Sequence, residues 1–451
     1  VRIPAGWRPL AIGALLLAVA LSIVVGYRAR TADREQATLD FRDFWLTAER
    51  LRTTGQVVTD EGVHNYLPFF SIFMLPWSYI PLQPAAVVFT LGSLLLGVAA
   101  LLMMEILLDE RLPPRPRPAF LIALGLMLAY IWSCGVLGQM GLLLLFLVVA
   151  TWFLAARGAE WEAGFALGLA AAIKLLPAVL ILFFLLKRRW RIFGAATGAF
   201  VILAFGLPLA GFGWKEFVVQ HERFVNEAVV GHSARSTIYA DKPQKAKYNN
   251  NALPIVLRRL LTPTDYLARE GGPQRFVNFA DLPRPIVFGV YAVILGAIVT
   301  CSLAGAVRGG PRWPPGDLDS ARALQAQFGA WCALSLLAAP LLWTHYLVLA
   351  YPALAIVCDR LERAVRARRS PDAIALTAIL LWTGGLVSLA FPAARGAGAQ
   401  YLSVLALWAA CIYWALTALP PGPPPTKQRP RRLELRRADE ESEGVAAAGP
   451  V

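Results

Sequence analysis

Long apolar runs of about 18–25 residues recur along most of the chain, separated by short polar connectors. At about 1.5 Å of rise per residue, such a run crosses roughly 30 Å of hydrocarbon as a single helix. Inside a bilayer, helices and closed barrels alone satisfy their own backbone hydrogen bonds. The pattern therefore predicts an all-α polytopic integral membrane protein with about ten full spans. They fall near residues 9–27, 84–108, 118–134, 139–157, 192–213, 285–305, 323–342, 346–358, 372–391 and 401–419. The span at 346–358 is short unless it extends past Cys358 or tilts. Pro9 to Tyr27 is too long for a signal-peptide core and lacks a small-residue cleavage site, so it is read as a retained helix.

Three segments break the pattern. Residues 40–51 form an amphipathic helix: Phe41, Phe44, Trp45, Ala48 and Leu51 share one face, with Asp40 at its edge and Asp43 and Thr47 further round. An interfacial helix usually carries Lys or Arg at that edge, because long stems reach the head groups and a short Asp cannot. Asp40 is either a helix-start acid behind an N-cap at Thr38 or a base at the membrane surface. Residues 162–186 lie between Arg157 and Lys187-Arg188-Arg189, so the segment is expected to enter and leave on one side. That makes a re-entrant pair with Lys174 and Pro177 at its turn; the alternative is one long tilted helix with a snorkelling lysine. Leu67 to Ile80 is apolar but broken by Pro68 and Pro76, which fits a membrane-dipping helix.

Hydrophobic residues make up 57% of the chain and charged residues 16%, so lipid rather than water solvates most of it. The net charge of +14 invites a nucleic-acid reading, but no basic strip interleaved with aromatics occurs. Instead the basic residues cluster in short connectors: Arg111, Arg115 and Arg117; Lys187 to Arg191; Arg360 to Arg369; and the tail. Such connectors face the cytoplasm, opposite anionic head groups. Arg28, Arg30 and Arg34 vote the other way for the first helix, but the later connectors outnumber them and agree. Residues 28–66 and 214–284 then form two outer loops of a membrane domain over 1–420, and 421–451 are predicted to be a disordered cytoplasmic tail. Five scattered cysteines without ligand spacing argue for neither a metal nor a disulfide framework.

Within the spans the charges are few, Glu105 and Lys174 among them, whereas a coupled transporter usually distributes acidic and His residues through several helices. The polar residues gather in the predicted outer segments: all four histidines (His64, His221, His232, His345), Asp40, Asp43, Tyr66, Gln139 and Tyr248-Asn249-Asn250-Asn251. That distribution points to a chamber at the outer membrane surface. Singly, each has a plain alternative. A lone His is more often a surface residue, and the asparagines also suit a turn or cap before a helix at 252–261. A transporter or lipid flippase, with the amphipathic helix as a gate, is the competing class.

Several blocks carry a resemblance when taken in order. They are Asp40-Phe41-x-x-Phe44-Trp45-x-x-Ala48 with Gly55, Tyr66-Leu67-Pro68 with Pro76, and Gly138-Gln139. Gly164-x-x-x-Gly168 with Lys174-x-x-Pro177, Asn249 to Leu253 with Arg258, and Pro340-x-x-Trp343-Thr344-His345 follow. Over residues 10–420 the chain resembles the polyprenol-phosphate-sugar-dependent glycosyltransferases of family 87, also described as the DUF2029 domain, with the GT-C architecture. It departs from the usual pattern at Phe69, Asn250, Asn251 and Thr344.

The resemblance implies an alpha-mannosyltransferase-like enzyme using a polyprenyl-phosphate sugar, with a lipid or glycan as acceptor, at the outer face of the cytoplasmic membrane. It implies Asp40 as the single catalytic base of an inverting displacement. Asp43, His64, Tyr66, Gln139, Lys174, Asn249, Asn250, Arg258 and His345 are the implied donor- and acceptor-binding set. Lys174, Arg258 and His345 are the candidates for stabilising the departing phosphate. No cofactor is expected, since the lipid-linked sugar is a substrate; a divalent ion between Asp40 and Asp43 is open but lacks evident further ligands.

Overall fold

Apolar periods become helices because the chain has nowhere else to satisfy its backbone in lipid. The computed structural model describes residues 4–31, 40–55, 66–109, 112–240, 247–267, 274–308 and 318–417. Thr38, His64 and the tail 421–451 lie outside the described residues. The helices are α1 (Arg8–Thr31), α2 (Asp40–Thr54), α3 (Phe69–Met74), α4 (Leu82–Asp109), α5 (Pro118–Leu137) and α6 (Gly141–Ala156). Then come α7 (Glu160–Ile173), α8 (Val179–Leu186), α9 (Trp190–Val201), α10 (Leu207–Phe224), α11 (Ala234–Tyr239) and α12 (Leu253–Leu261). The last six are α13 (Arg284–Arg308), α14 (Leu318–Leu337), α15 (Tyr351–Arg366), α16 (Ala373–Val387), α17 (Pro392–Gly396) and α18 (Ala399–Thr417). No strand occurs among the described residues, only an isolated bridge between Asn250 and Trp343.

Seven helices among the described residues are long and apolar enough to cross a membrane. They are α1, α4, α5, the continuous run from Trp190 to Val230, α13, α16 and α18. The other three expected spans are shorter or more polar. α6 has 16 residues. α14 begins on a polar turn around Arg322, and the last is a 3₁₀ segment, Thr344–Ala350, that continues as α15. The expected short span at 346–358 thus extends through Cys358 to Arg366. The run from Trp190 breaks at Gly213, whose φ of 74° only glycine adopts without strain. That break falls where the sequence predicts the span to end.

Polar contacts gather at the two ends of the bundle. At one end Arg117, opening α5, is buried between Glu105 Oε1 of α4 at 2.5 Å and Asp359 Oδ1 of α15 at 2.7 Å. Arg363 bonds the other Asp359 oxygen and the Leu108 carbonyl, both at 2.7 Å. Glu362 accepts the Ala119 N–H at 2.9 Å, capping the start of α5. Glu105 is therefore a helix-end tie rather than a midplane charge. The Trp7 indole, before α1, donates to the Pro113 carbonyl at 2.7 Å, which puts the start of α1 at this end too. Its other extremity is fixed by Arg28 Nη1, 3.3 Å from the Val136 carbonyl at the far end of α5.

The segment from Glu160 to Arg189 resolves the two alternatives left by the sequence. Arg189, just after α8, is ion-paired with Glu160 in the first turn of α7. The chain therefore returns to where it started, as a re-entrant pair. Lys174 sits at its turn with extended dihedrals (φ −151°, ψ 130°) that end α7. α7 then runs parallel to α9: Gly164 lies against Ile192 and Ala195, and Gly168 against Ala196 and Ala199. A Cβ at either glycine would meet a backbone oxygen at 2.7 Å or less, so only glycine permits this spacing.

Candidate active site

α2 packs by the face its periodicity predicts. Phe41 stacks on Phe89 of α4 with centroids 4.8 Å apart, and Phe44 meets Tyr66 and Phe70 edge-on at 5.3 and 5.0 Å. The Trp45 indole donates to the carbonyls of Trp77 and Ile80 at 3.0 and 2.9 Å. Leu67 to Ile80 dips under α2 as α3 and a 3₁₀ turn, Leu75–Tyr79, and holds it down. With the apolar face so fixed, Asp40 is turned toward the end of α5.

That end is built for close approach. Gly138 caps α5 with φ 63° and accepts no side chain: a Cβ there would lie 2.6 Å from Phe41 Cβ. The next residue, Gln139, donates from Nε2 to Asp40 Oδ2 at 2.5 Å, and its Oε1 lies 3.4 Å from the Tyr66 hydroxyl. Lys174 Nζ lies 3.3 Å from that same hydroxyl and hydrogen-bonds the Tyr346 hydroxyl, with both tyrosine rings within 4.4 Å of the ammonium. The re-entrant tip thus joins a continuous chain: Asp40, Gln139, Tyr66, Lys174, Tyr346. Burial raises the Asp40 pKa above the ordinary carboxylate range, while the Gln139 bond and the Lys174 charge oppose the rise.

Asp40 opens onto a cavity of about 630 Å³, large enough for a hexose and a phosphate together. Of the residues singled out by sequence, Asp40, Asp43, Tyr66, Gln139, Asn249 and His345 line it. His345 Nε2 and Asn249 Oδ1 are buried with no hydrogen-bond partner among the described residues, which leaves both available to a ligand.

Three others stand behind the wall. Lys174 is screened by its tyrosines. Asn250 Oδ1 accepts the N–H groups of Ala252 and Leu342 at 3.2 and 3.1 Å, so it ties the loop before α12 to the segment before His345. Arg258 spends Nη1 on the carbonyls of Thr237, Ile238 and Ala240 at 2.6–3.1 Å and directs Nε to Thr264 at 3.3 Å. The asparagine block acts as a clasp: Asn251 also donates to the Leu342 carbonyl at 2.7 Å and to Gln400 Oε1 at 3.0 Å. Neither asparagine caps α12, whose N-cap is Ala252 without a side-chain bond.

The sequence reading missed Arg395, Trp132 and Tyr346, and gave Trp343 only as part of the block ending at His345; all four line the cavity. Arg395 had a visible signal: between Pro371 and Thr417 the only charged residues are Asp372 and Arg395. A second, wholly apolar cavity of about 380 Å³ lies among α1, α4, α5 and α6 and shares Ala129 and Trp132 with the first. Among the described residues no three His, Cys, Asp or Glu side chains stand close enough to hold a metal ion.

The family model described as glycosyltransferase family 87 matches residues 64–308. A polyprenol-phosphate-mannose-dependent alpha-(1-2)-phosphatidylinositol mannoside mannosyltransferase of Mycobacterium tuberculosis is 32% identical over 150 residues, 31% of this chain and 35% of the relative. Its namesake in Mycolicibacterium smegmatis is 31% identical over 160 residues, 32% of this chain and 36% of the relative. The matched stretch thus spans about a third of the length of these curated relatives. No solved structure matches the chain.

Proposed function

The chain belongs to glycosyltransferase family 87, and from that premise we propose that it transfers a hexose, mannose first among candidates, from a polyprenyl-phosphate sugar to a hydroxyl of a lipid or glycan acceptor. In the proposed reaction Asp40 takes the proton of the acceptor hydroxyl. The acceptor oxygen forms a bond to the anomeric carbon, the bond from that carbon to the phosphate oxygen breaks, and its electron pair leaves on polyprenyl phosphate. One displacement inverts the anomeric centre. The leaving group is already a stable anion, so one base suffices and no second carboxylate is needed, unlike glycoside hydrolysis. No step calls for a metal.

The observation that carries this reading is the state of Asp40. Its carboxylate lies on the wall of a sugar-sized cavity and is tethered by a neutral amide rather than a cation. An ion-paired carboxylate is a weak base, whereas burial raises the Asp40 pKa, against the Gln139 bond and the Lys174 charge, and so makes it the stronger base. Asp43, exposed on the cavity rim one turn away, suits acceptor hydroxyls. The apolar cavity that meets the polar one at Ala129 and Trp132 suits the isoprenoid tail of the donor. Lys174 is placed to set the tyrosine hydroxyls and to add positive potential behind the sugar-phosphate. A flippase or transporter would need a polar path to the far end of the bundle, where Arg117, Glu105 and Asp359 instead lock α4, α5 and α15 together.

The test is a membrane assay offering radiolabelled polyprenyl-phosphate sugars, with lipid and polymer products extracted separately. Transfer of label by the wild-type protein and none by Asp40→Asn is the expected result. Full transfer by Asp40→Asn refutes the assignment of the base. Absence of transfer from every such donor refutes the activity.

A further inference from the structure

Resting on the reading above, the donor carries a phosphate whose negative charge must be met when the glycosidic bond breaks, and the cavity should present a cation to it. Among the buried or half-buried cations nearby, Arg259 donates to the Lys247 and Asn250 carbonyls off the cavity, and three others stand near. Lys174 is enclosed by Tyr66 and Tyr346 and does not line the cavity. Arg258 is engaged by three carbonyls and Thr264, also off the cavity. Arg395 alone of the three lines it.

The surroundings of Arg395 are those of an unfinished site. Nη2 bonds the Thr344 hydroxyl at 3.0 Å, and the guanidinium carbon sits 4.7 Å from the centre of the Tyr248 ring. Its Nε is buried with no hydrogen-bond partner, and no carboxylate pairs with it among the described residues. Burial accordingly disfavours its charge. A guanidinium is costly to bury half-satisfied unless a ligand completes it.

The fold nevertheless goes to some length to hold it there. Gly396 packs against the Tyr266 ring, where a Cβ would come within 3.1 Å, and Gly398 adopts φ 87° against Val256. Gln400 Oε1 accepts from Thr344 and Asn251 at 3.3 and 3.0 Å, tying the hydroxyl that holds Arg395 to the asparagine clasp. α17, the 3₁₀ segment at Thr344 and the loop at Tyr248 therefore converge on one side chain.

We propose that Arg395 is the residue that binds the lipid phosphate of the donor, taking it bidentately through Nε and a terminal nitrogen. Planar guanidinium and tetrahedral phosphate match in this way, which an ammonium cannot reproduce. Asn249, with its free Oδ1 on the same wall beside Tyr248, is left for hydroxyls of the sugar. Arg395 touches the leaving group, and its contact strengthens as charge develops on the departing oxygen.

The probes are decaprenyl phosphate, which is the leaving group itself, and uncharged decaprenol, titrated on the purified full-length protein in detergent without acceptor. Wild type should bind decaprenyl phosphate and discriminate against decaprenol. Arg395→Gln should lose about 10- to 100-fold in affinity for the phosphate, the worth of one charge-assisted contact, and lose the discrimination. Arg395→Lys should recover part of both. In transfer assays Arg395→Gln should raise the donor KM and lower kcat while leaving the acceptor KM unchanged. Thermal melting of each variant confirms that it is folded. Unchanged affinity for decaprenyl phosphate in a folded Arg395→Gln protein overturns the proposal, as does a rise in acceptor KM alone, which would give the arginine to an anionic acceptor. If wild type itself ignores decaprenyl phosphate, the donor class falls and the proposal falls with it.

Discussion

Gln139 Nε2 sits 2.5 Å from Asp40 Oδ2, which ties the end of α5 to the first turn of α2 across 99 residues of chain. The contact is neutral to charged, so it orients the carboxylate without taking over its charge. The charge of Lys174 acts on it at one remove: Lys174 lies two hydrogen bonds beyond Gln139, through the Tyr66 hydroxyl.

That arrangement sets a pH dependence. Asp40 must be ionised to accept a proton, and burial raises its pKa above the ordinary carboxylate value while Lys174 opposes the rise. The acidic limb of kcat/KM should therefore lie above the pH expected of a free aspartate. Lys174→Met removes the opposing charge, so the limb should move further toward neutral pH. A pH–rate profile of the two proteins tests this; an unmoved or lowered limb in the variant would detach Lys174 from the base.

The same shift bears on stability. A folded-state pKa above the unfolded one means that the ionised group costs stability above the folded pKa and costs nothing below the unfolded pKa. Asp40→Asn should therefore melt no lower than wild type at pH 7.5, with any advantage shrinking as the pH falls toward 4. Detergent melting curves at several pH values measure it. Beside it, Asp43→Asn should keep partial transfer, because Asp43 lies on the exposed rim. An inactive Asp43→Asn with a working Asp40→Asn would move the base by one helical turn. A positioned base is worth roughly 10²–10⁴-fold.

Gly138 joins local geometry to catalysis. Alanine there suffers twice, from a φ of 63° and from Phe41 Cβ at 2.6 Å. The relief is a shift of α2 relative to Gln139. Gly138→Ala should still reach the membrane but lose at least ~10-fold in kcat, since sub-ångström misplacement of a base is expensive. Normal kcat in that variant would show that the approach of α2 to α5 does not govern the chemistry.

Much of this was legible in the sequence, and what escaped has physical causes. The apolar face of α2 and the placing of Asp40, Tyr66, Gln139 and His345 on one cavity follow from periodicity and ordered motifs. Whether 162–186 turns back was decided by the Glu160–Arg189 pair, a contact between residues 29 apart that spacing cannot reveal. Asn250 and Arg258 carried the right motif but serve as ties, because a motif records which residues are required and not which way they point. Arg395 escaped since a lone arginine in a connector reads as surface charge. Its role emerges only when Thr344, Tyr248 and the cavity are placed around it.

The apolar cavity among α1, α4, α5 and α6 supplies a prediction about chain length. Leu124 lines it two helical turns before Trp132 along α5, away from the place where the two cavities meet. Leu124→Trp should fill the groove and raise the KM for a decaprenyl-phosphate donor several-fold, while a donor with a tail of two isoprene units keeps its KM. Equal effects on both donors would place the tail elsewhere.

Sidedness is the remaining expectation, and the two ends of the bundle sharpen it. The end that holds Arg117, Arg363, Glu160 and Arg189 gathers the basic connectors, whereas the cavity end keeps Arg28 and Arg395 at work in hydrogen bonds. Loops rich in Lys and Arg stay in the cytoplasm. Arg28 counts less than its position suggests, since its guanidinium bonds the Val136 carbonyl. The cavity should then open outside. Single cysteines at two exposed positions report it, in a protein lacking the five native ones: Lys215→Cys after the Gly213 break, and Ser370→Cys between α15 and α16. In intact cells an impermeant maleimide should label Lys215→Cys, and Ser370→Cys only after permeabilisation. The reverse pattern would turn Asp40 to the cytoplasm and require a donor presented on that face.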